Sequence, residues 1–452
     1  MDKRPRRWKR TPLCEPCGFE ERPLSEQKER ASHNNPDTRA QALARLLLRP
    51  ARGSVWQAIL LPVLAVFTAL VIGALVIVFT DLQVLNLYKD FFSAPGKALA
   101  ASWKSIASAY SALFKGSIGN PAEFAKAISV LRATGDAAPL RQAFWPISES
   151  LVTSVPYIFA GLAVALGFQC GLFNIGAEGQ IFIGALASVY VGYSIKGLPQ
   201  YIHLPLAFLT GAAAAGLWAA VAGVLKAKTG AHEVINTIMM NYIAFLLSDW
   251  LLNGPMKRPG YSPISPAIQD SAWLPKFFPD PLRFHAGFFV ALGIAAVVYW
   301  LLFKTTIGFE IRSVGANPDA ARYAGISVTR NFVLAMFLSG ALAGMAGANE
   351  VLGVNHQLAS AFSSGYGFDS IALALLGKSH PVGVVLAALL FGTLRSGATR
   401  MQSLAGVPID IISILQALVI IFIAAPAIIR WLYRLRLERE VGETVFTRGW
   451  GQ

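Results

Sequence analysis

Trp56-Gln-Ala-Ile-Leu-Leu-Pro-Val-Leu-Ala-Val-Phe-Thr-Ala-Leu-Val-Ile-Gly-Ala-Leu-Val-Ile-Val-Phe79 contains no charged residue. As an α-helix this stretch is about 36 Å long, enough to cross the ~30 Å hydrocarbon core of a bilayer. Similar apolar runs recur as far as Ile429. We read spans at 56–79, 147–168, 178–195, 204–225, 234–252, 286–303, 332–353, 368–378, 381–398 and 408–429. Runs of this length suit helices rather than the short alternating strands of a membrane barrel. The expected fold is therefore all-α: a polytopic membrane helix bundle of about ten spans, some broken or short. The segment 368–378 is too short to cross. It is expected to be half a helix enclosed by protein, where interrupted backbone is tolerated.

Composition agrees. Charged residues make up 14% of the 452-residue chain, against about 25% in soluble domains, and mean hydropathy is +0.51. This excludes a soluble enzyme, a disordered protein and a disulfide scaffold. The formal charge of +14 does not call for nucleic acid, because the basic residues crowd the membrane flanks. Arg45, Arg49 and Arg52 precede the first span, and Arg430, Arg434, Arg436 and Arg439 follow the last. Both the N and C termini are therefore expected in the cytoplasm, which requires an even number of spans. Residues 1–54 read as a disordered basic cytoplasmic tail, 55–430 as the membrane domain, and 431–452 as a second basic cytoplasmic tail. The polar start is too long for a signal peptide, so the first span is expected to stay uncleaved.

This topology places 80–145 and the Pro-rich 253–285 outside, and 226–233 and 304–331 inside. The stretch 80–145 holds Ser/Ala-rich, mildly amphipathic segments such as Ala98–Phe114. The inner loop 304–331 is the most informative. Asn317 suits an N-cap, Pro318 the first helical position, Asp319 the positive helix end, and Gly325 a left-handed C′ position. The pattern predicts a helix of about two turns over 316–325, lying outside the bilayer between two spans. So short a helix is marginal in water alone, so a partner is expected to dock it. Ala320, Ala321 and Ala324 allow close approach, Arg322 supplies a polar contact, and Gly315 and Gly325 bracket the segment. The alternative is a capped surface helix without a partner.

Ionisable and amide groups inside a membrane are costly and mark function or support. Asn174 and Glu178 sit in a Gly-rich stretch, at i and i+4 if that piece is helical. Glu178 either caps the N–H groups of the following helix or meets a substrate hydroxyl. Asn349 and Glu350 end the seventh span and Asp369 opens the eighth. Ser364-Gly-Tyr-Gly-Phe-Asp-Ser-Ile-Ala372 loosely echoes Leu172-Phe-Asn-Ile-Gly-Ala-Glu178. The echo suggests an internal repeat of spans 2–5 in 7–10, with the pathway at the repeat interface. Tyr157, Phe173, Tyr366 and Phe368 lie near these helix starts, as stacking surfaces or as ordinary packing aromatics. Gly340-Ala-Leu-Ala-Gly344 reads as a close helix contact.

Other patterns carry no chemistry. Ala372-Leu-Ala-Leu-Leu-Gly-Lys-Ser379 satisfies a loose P-loop pattern, but an apolar helical run precedes Gly377 and His380-Pro381 follows. A phosphate loop needs a strand before it and a helix opening after it. We read it as a break between two membrane segments. Cys14-Glu-Pro-Cys17 has no second ligand pair, Cys170 reads as a packing residue, and the histidines lack ligand spacing. No metal, no cofactor and no catalytic constellation is expected.

Gly315-Ala-Asn-Pro-Asp-Ala-Ala-Arg-Tyr-Ala-Gly-Ile326 resembles the cytoplasmic coupling-helix motif of ABC-importer permeases of the branched-chain amino acid and simple sugar group. Gly171-Leu-Phe-Asn-Ile-Gly-Ala-Glu-Gly-Gln180 looks like the hallmark of its nucleoside-type members, which work with basic-membrane-protein lipoproteins. His232-Glu-Val-Ile-Asn-Thr-Ile-Met-Met-Asn-Tyr-Ile243 is similar to a third family segment. Residues 1–44 have no counterpart in this likeness. The resemblance implies a multi-pass permease subunit of the bacterial cytoplasmic (inner) membrane, surrounded by lipid and not an enzyme. It implies a second, different permease in a heterodimer, a cytoplasmic ABC ATPase, an extracytoplasmic substrate-binding lipoprotein and a small-molecule substrate, a nucleoside. Sugar and branched-chain amino acid permeases are the cousins. On physical grounds alone an ion-gradient-driven secondary transporter is the alternative, but it has no use for a docking helix. The expected ATPase-coupling residues are Gly315, Asn317, Pro318, Asp319, Ala320, Ala321, Arg322 and Gly325. The expected pathway residues are Phe173, Asn174, Glu178, Tyr366, Phe368 and Asp369.

Overall fold

The computed structural model describes residues 52–434 apart from Ala361 and Ile409. The tails, with Cys14 and Cys17, fall outside the described residues. Among the described residues no strand forms beyond the isolated bridges Ile264–Ala359 and Lys276–His285. The helices are α1 (Arg52–Thr80), α2 (Leu82–Lys89), α3 (Pro95–Ser117), α4 (Pro121–Thr134), α5 (Ala138–Gln169), α6 (Ala177–Ser194), α7 (Gln200–Thr229) and α8 (Glu233–Asn253). After a proline-rich loop come α9 (Gly287–Lys304), α10 (Thr306–Ala316), α11 (Pro318–Tyr323) and α12 (Val328–Asn349), which runs into a π-helical turn over Glu350–Asn355. α13 (Tyr366–Leu376), α14 (Pro381–Ala405), α15 (Asp410–Ala424) and α16 (Pro426–Leu432) complete the described residues.

Each expected span coincides with a helix, but not every one is by itself long and apolar enough to cross. Among the described residues seven helices are long and apolar enough to span a membrane: α1, α5, α7, α8, α9, α12 with its π turn, and α14. α15 and α16, bent sharply at Ala425, make an eighth if taken together. α6 lies outside this set and is enclosed by protein along most of its length. α13 has only 11 residues, about 16 Å, as expected for a half-helix.

The segment 80–145 is not an open outer loop. It folds into α2, α3 and α4, and α3 lies along α14. Ser117 Oγ lies 2.7 Å from Thr393 O of α14, which accepts its proton, and Tyr110 Oη donates to Leu70 O of α1. Small residues on α3 permit this approach, which is why the Ser/Ala-rich sequence lacks the hydropathy of a span.

The helix contacts follow the order that the expected repeat of spans 2–5 in 7–10 would give. α7, the third helix of the first repeat, packs along α12, the first helix of the second. Reciprocally, α14 packs along α5. The second helices follow the same rule, α6 against α12 and α13 against α5. Both long contacts use small residues. A Cβ on Gly344 would stand 2.7 Å from Gly211 O, and one on Gly161 would stand 2.7 Å from Val384 Cγ1. The Gly340/Gly344 step is therefore a packing step.

The P-loop-like stretch is the end of α13, a turn and the start of α14. Lys378 and Ser379 both take left-handed backbone angles (φ 51° and 52°), and Pro381 opens α14. No strand precedes Gly377.

A coupling loop and a membrane seam built from two helix starts

The inner loop is two helices rather than one. α10 precedes the capped helix α11 with only Asn317 between them. Asn317 is extended, and its Oδ1 accepts the N–H groups of Asp319 and Ala320, each at 3.0 Å. At the other end Gly325 is left-handed (φ +82°), its N–H donates to Arg322 O, and Ile326 N–H donates to Ala321 O. These are the two bonds of a Schellman stop. The sequence thus dictates a rigid six-residue lever between α10 and α12.

Its faces correct two expectations. Ala321 is only 3% exposed, packed against its own chain, and is not available to a partner. Gly315 meets this chain's own turn: a Cβ there would lie 2.9 Å from Cys170 C and from Gly171 N. Ala320, Arg322 and Tyr323 form the outward face, with Tyr323 95% exposed. Tyr323 was not singled out in the sequence. Its position three residues after Ala320, on the same face of a short helix, was the available signal.

In the membrane the chain leaves α5, turns at Gly171 (φ +72°) and runs without helix through Leu172–Ile175 before α6 begins. Asn174 and Glu178 are therefore not an i, i+4 helical pair. Asn174 is fully buried, and every hydrogen-bonding valence of its amide is used. Nδ2 donates to Gln180 Oε1 (2.9 Å) and Ser339 Oγ (2.8 Å), while Oδ1 accepts from Gly176 N and Gln180 Nε2, each at 3.0 Å. Asn241 on α8 makes a matching clamp, accepting Gly179 N–H at 2.8 Å and donating to Ile175 O at 3.0 Å. Saturated buried amides of this kind fix a backbone. Gln180, Asn241 and Ser339 were missed because a polar residue on an apolar helix does not announce a partner distant in sequence.

Glu178, 3% exposed, does cap a helix, but not its own. Its Oε2 accepts the Gly367 N–H at 2.5 Å, at the start of α13. A Cβ on Gly367 would stand 2.5 Å from Glu178 Cα, so only glycine lets the two helix starts touch. Beside this joint Tyr157 donates to Asp369 Oδ2 at 2.9 Å, and its ring meets Tyr366 edge-on at 5.0 Å. Asn174, Glu178, Tyr366 and Asp369 thus gather where the two repeats meet. Phe368 is 47% exposed and Phe173 packs on Phe168 at 5.0 Å. The ring contact beside the joint is that of Tyr157 with Tyr366. Glu350, in the π turn, is buried and accepts from Asn355 at 3.4 Å.

Outside the spans, His285 is buried beside the start of α9, and its Nδ1 accepts Gly287 N–H at 3.1 Å. Burial, with smaller contributions from His356, Arg283 and Lys276, lowers its pKa from 6.5 to about 4, so the ring is neutral. Arg283 pairs with Glu149 nearby. Among the described residues no group of His, Cys, Asp and Glu is placed to hold a metal ion.

Residues 147–424 match the family described as the permease component of a branched-chain amino acid transport system. The chain belongs to this permease family. Over 339 residues the permease is 42% identical to the guanosine ABC transporter permease NupP of Bacillus subtilis, covering 74% of this chain and 90% of that protein. It is 39% identical to the glucose ABC transporter permease TsgB13 of Haloferax volcanii, over 61% of this chain and 75% of the relative. It is 36% identical to the nucleoside ABC transporter permease NupB of Lactococcus lactis, over 63% and 80%. No solved structure matches the permease. It is a multi-pass inner-membrane ABC permease, a transport subunit rather than an enzyme.

Proposed function

We propose that this permease carries nucleosides inward as one half of a heterodimeric channel. A cytoplasmic ABC ATPase drives it, and an extracytoplasmic binding lipoprotein delivers the substrate. The observation that carries the substrate class is the likeness, over nine-tenths of its length, to a protein named for guanosine. The likeness to a glucose permease supports a second reading, a sugar substrate. A nucleoside contains a pentose, so both readings place hydroxyl groups opposite carboxylates.

In this reading the termini and the α10–α11 loop are cytoplasmic, by the charge rule. α11 docks the ATPase through Ala320, Arg322 and Tyr323, held by the Asn317–Asp319 cap and the Gly325 stop. The pathway runs along the seam of Glu178, Tyr366, Asp369 and Tyr157, where two interrupted helix starts meet inside the bundle. The half-buried Asp369 carboxylate accepts from ribose hydroxyls, and the half-buried Tyr366 ring offers a face to a base, with Tyr157 packed behind it.

The test is uptake by cells lacking their own nucleoside import and expressing the permease with its partner subunits. Labelled guanosine, adenosine, uridine and glucose are supplied in turn. Saturable nucleoside uptake that stops when the ATPase is inactivated supports the proposal. Glucose uptake without nucleoside uptake overturns it in favour of the second reading.

A further inference from the structure

We infer that the backbone contact between Gly171 and Gly315 relays the movement of the coupling helix to the Glu178–Gly367 seam. The inference rests on the reading of α11 as the ATPase dock, and concerns what happens beyond it.

A push on α11 has two evident routes into the membrane, through α10 into α9 and through residues 324–327 into α12. The structure contains a third. α10 ends beside the turn that follows α5. A Cβ on Gly171 would lie 3.2 Å from Gly315 Cα, and one on Gly315 would lie 2.9 Å from Cys170 C. Neither residue has a side chain, so main chain lies on main chain. Gly171 is exposed and Gly315 half-buried, so the relay rests on the directness of this contact: main chain meeting main chain has no rotamer with which to absorb a displacement. A long side chain at the contact would take up the same displacement by changing rotamer.

The next residues are equally constrained. Three positions after Gly171 comes Asn174, tied to α6 through Gln180 and to α12 through Ser339. Ser339 in turn donates to Ala163 O of α5 at 2.6 Å. The linker therefore cannot shift without carrying the start of α6 with it. Glu178 is the second residue of α6 and holds the first turn of α13 by the Gly367 N–H. The chain of contacts is continuous: α11, α10, Gly315, Gly171, Asn174, Glu178, Gly367. The links are the chain itself, the Gly315–Gly171 main-chain contact, the buried Asn174 amide network and the Glu178–Gly367 hydrogen bond. A displacement delivered outside the bilayer thus reaches the joint between the two repeats.

Spatial continuity alone does not prove coupling, so the test measures coupling itself. The assembled complex of both permeases, ATPase and binding protein is reconstituted in liposomes. ATP hydrolysed per nucleoside transported is measured. Gly315→Ala places a methyl group against Cys170 and Gly171 and forces the linker away. The complex is expected to retain its ATPase and hydrolyse ATP, while the ratio rises by about 10-fold, within the usual span of coupling between sites. Ser339→Ala removes one acceptor from the Asn174 amide and little volume, so it decides the matter if Gly315→Ala does not fold. It is expected to raise the ratio about 3-fold, the equivalent of one lost hydrogen bond. An unchanged ratio in a folded Gly315→Ala complex, or in Ser339→Ala where Gly315→Ala does not fold, overturns the relay. The docking reading fails on a separate measurement, co-purification of the ATPase with variants of the outward face of α11.

Discussion

Glu178 and Gly367 lie 189 residues apart, and the carboxylate of the first accepts the backbone N–H of the second. α13 has no side-chain cap of its own at Gly365. Its free N–H groups are therefore served by an acid from the other repeat, and the positive end of the helix favours that charge. Removing the carboxylate leaves a buried donor without an acceptor, at a cost of about 1–3 kcal/mol. Glu178→Ala is expected to lower the melting temperature of the purified permease and to depress uptake. Glu178→Gln keeps an acceptor oxygen and is expected to lose less of both. Equal melting temperatures for wild type and Glu178→Ala would show that the bond carries no weight.

The two faces of α11 separate docking from folding. Tyr323→Ala and Arg322→Glu change exposed side chains, and the Arg322–Asp319 ion pair at 3.7 Å is too exposed to matter for stability. These variants are expected to insert normally, melt normally and lose co-purifying ATPase. Ala321→Trp forces an indole into packed protein and is expected to lower the melting temperature. Thermal unfolding alongside pull-down of the ATPase distinguishes the two classes. If Ala321→Trp melted like wild type, the inward placement of Ala321 would be wrong.

His285 gives an acid-side dependence. Its pKa is about 4 in the fold against 6.5 unfolded. The unfolded chain therefore binds the proton first, and stability falls as pH drops from 6.5 toward 4, by at most about 3 kcal/mol. Above pH 6.5 the ring is neutral in both states and contributes no slope. His285→Asn is expected to flatten the curve of melting temperature against pH over this interval. An identical acid slope in the variant would assign the dependence to other groups.

Lys378 lies in the turn that mimics a phosphate loop, with φ at 51°. Lys378→Ala is expected to leave ATP hydrolysis by the assembled complex within twofold of wild type. Lys378→Gly relieves a left-handed backbone and is expected to stabilise by about 1 kcal/mol. Measurable ATP binding by the purified permease alone would contradict the helical reading of Ala372–Ser379.

The helices were legible because apolar runs and caps are local signals. Asn317, Pro318 and Gly325 define α11 by their own chemistry, and each occupies the position expected of it. The half-length of α13 followed from counting residues. Burial was not legible in the same way. Ala320 and Ala321 are identical in sequence, and only the docking of α11 on its own chain turns one outward and the other inward. The partner of Glu178 was equally hidden. An acid at a helix start suggests a cap for that helix, and only tertiary packing brings α13 closer than the start of α6. The fold of 80–145 escaped because α3 packs through serine, alanine and glycine, which hydropathy does not reward.

The reciprocal packing of α7 on α12 and of α14 on α5 means that each repeat lends its third helix to the other. The halves are laced like crossed fingers. A cycle in which one repeat rocks as a block against the other would have to pull both lacings apart, glycine contacts included. The segments outside those two long contacts are the short ones, 171–176 with the first turn of α6 that Asn174 ties to it, and α13. Any change of access is therefore expected at those few residues, with the long helices as its fixed frame.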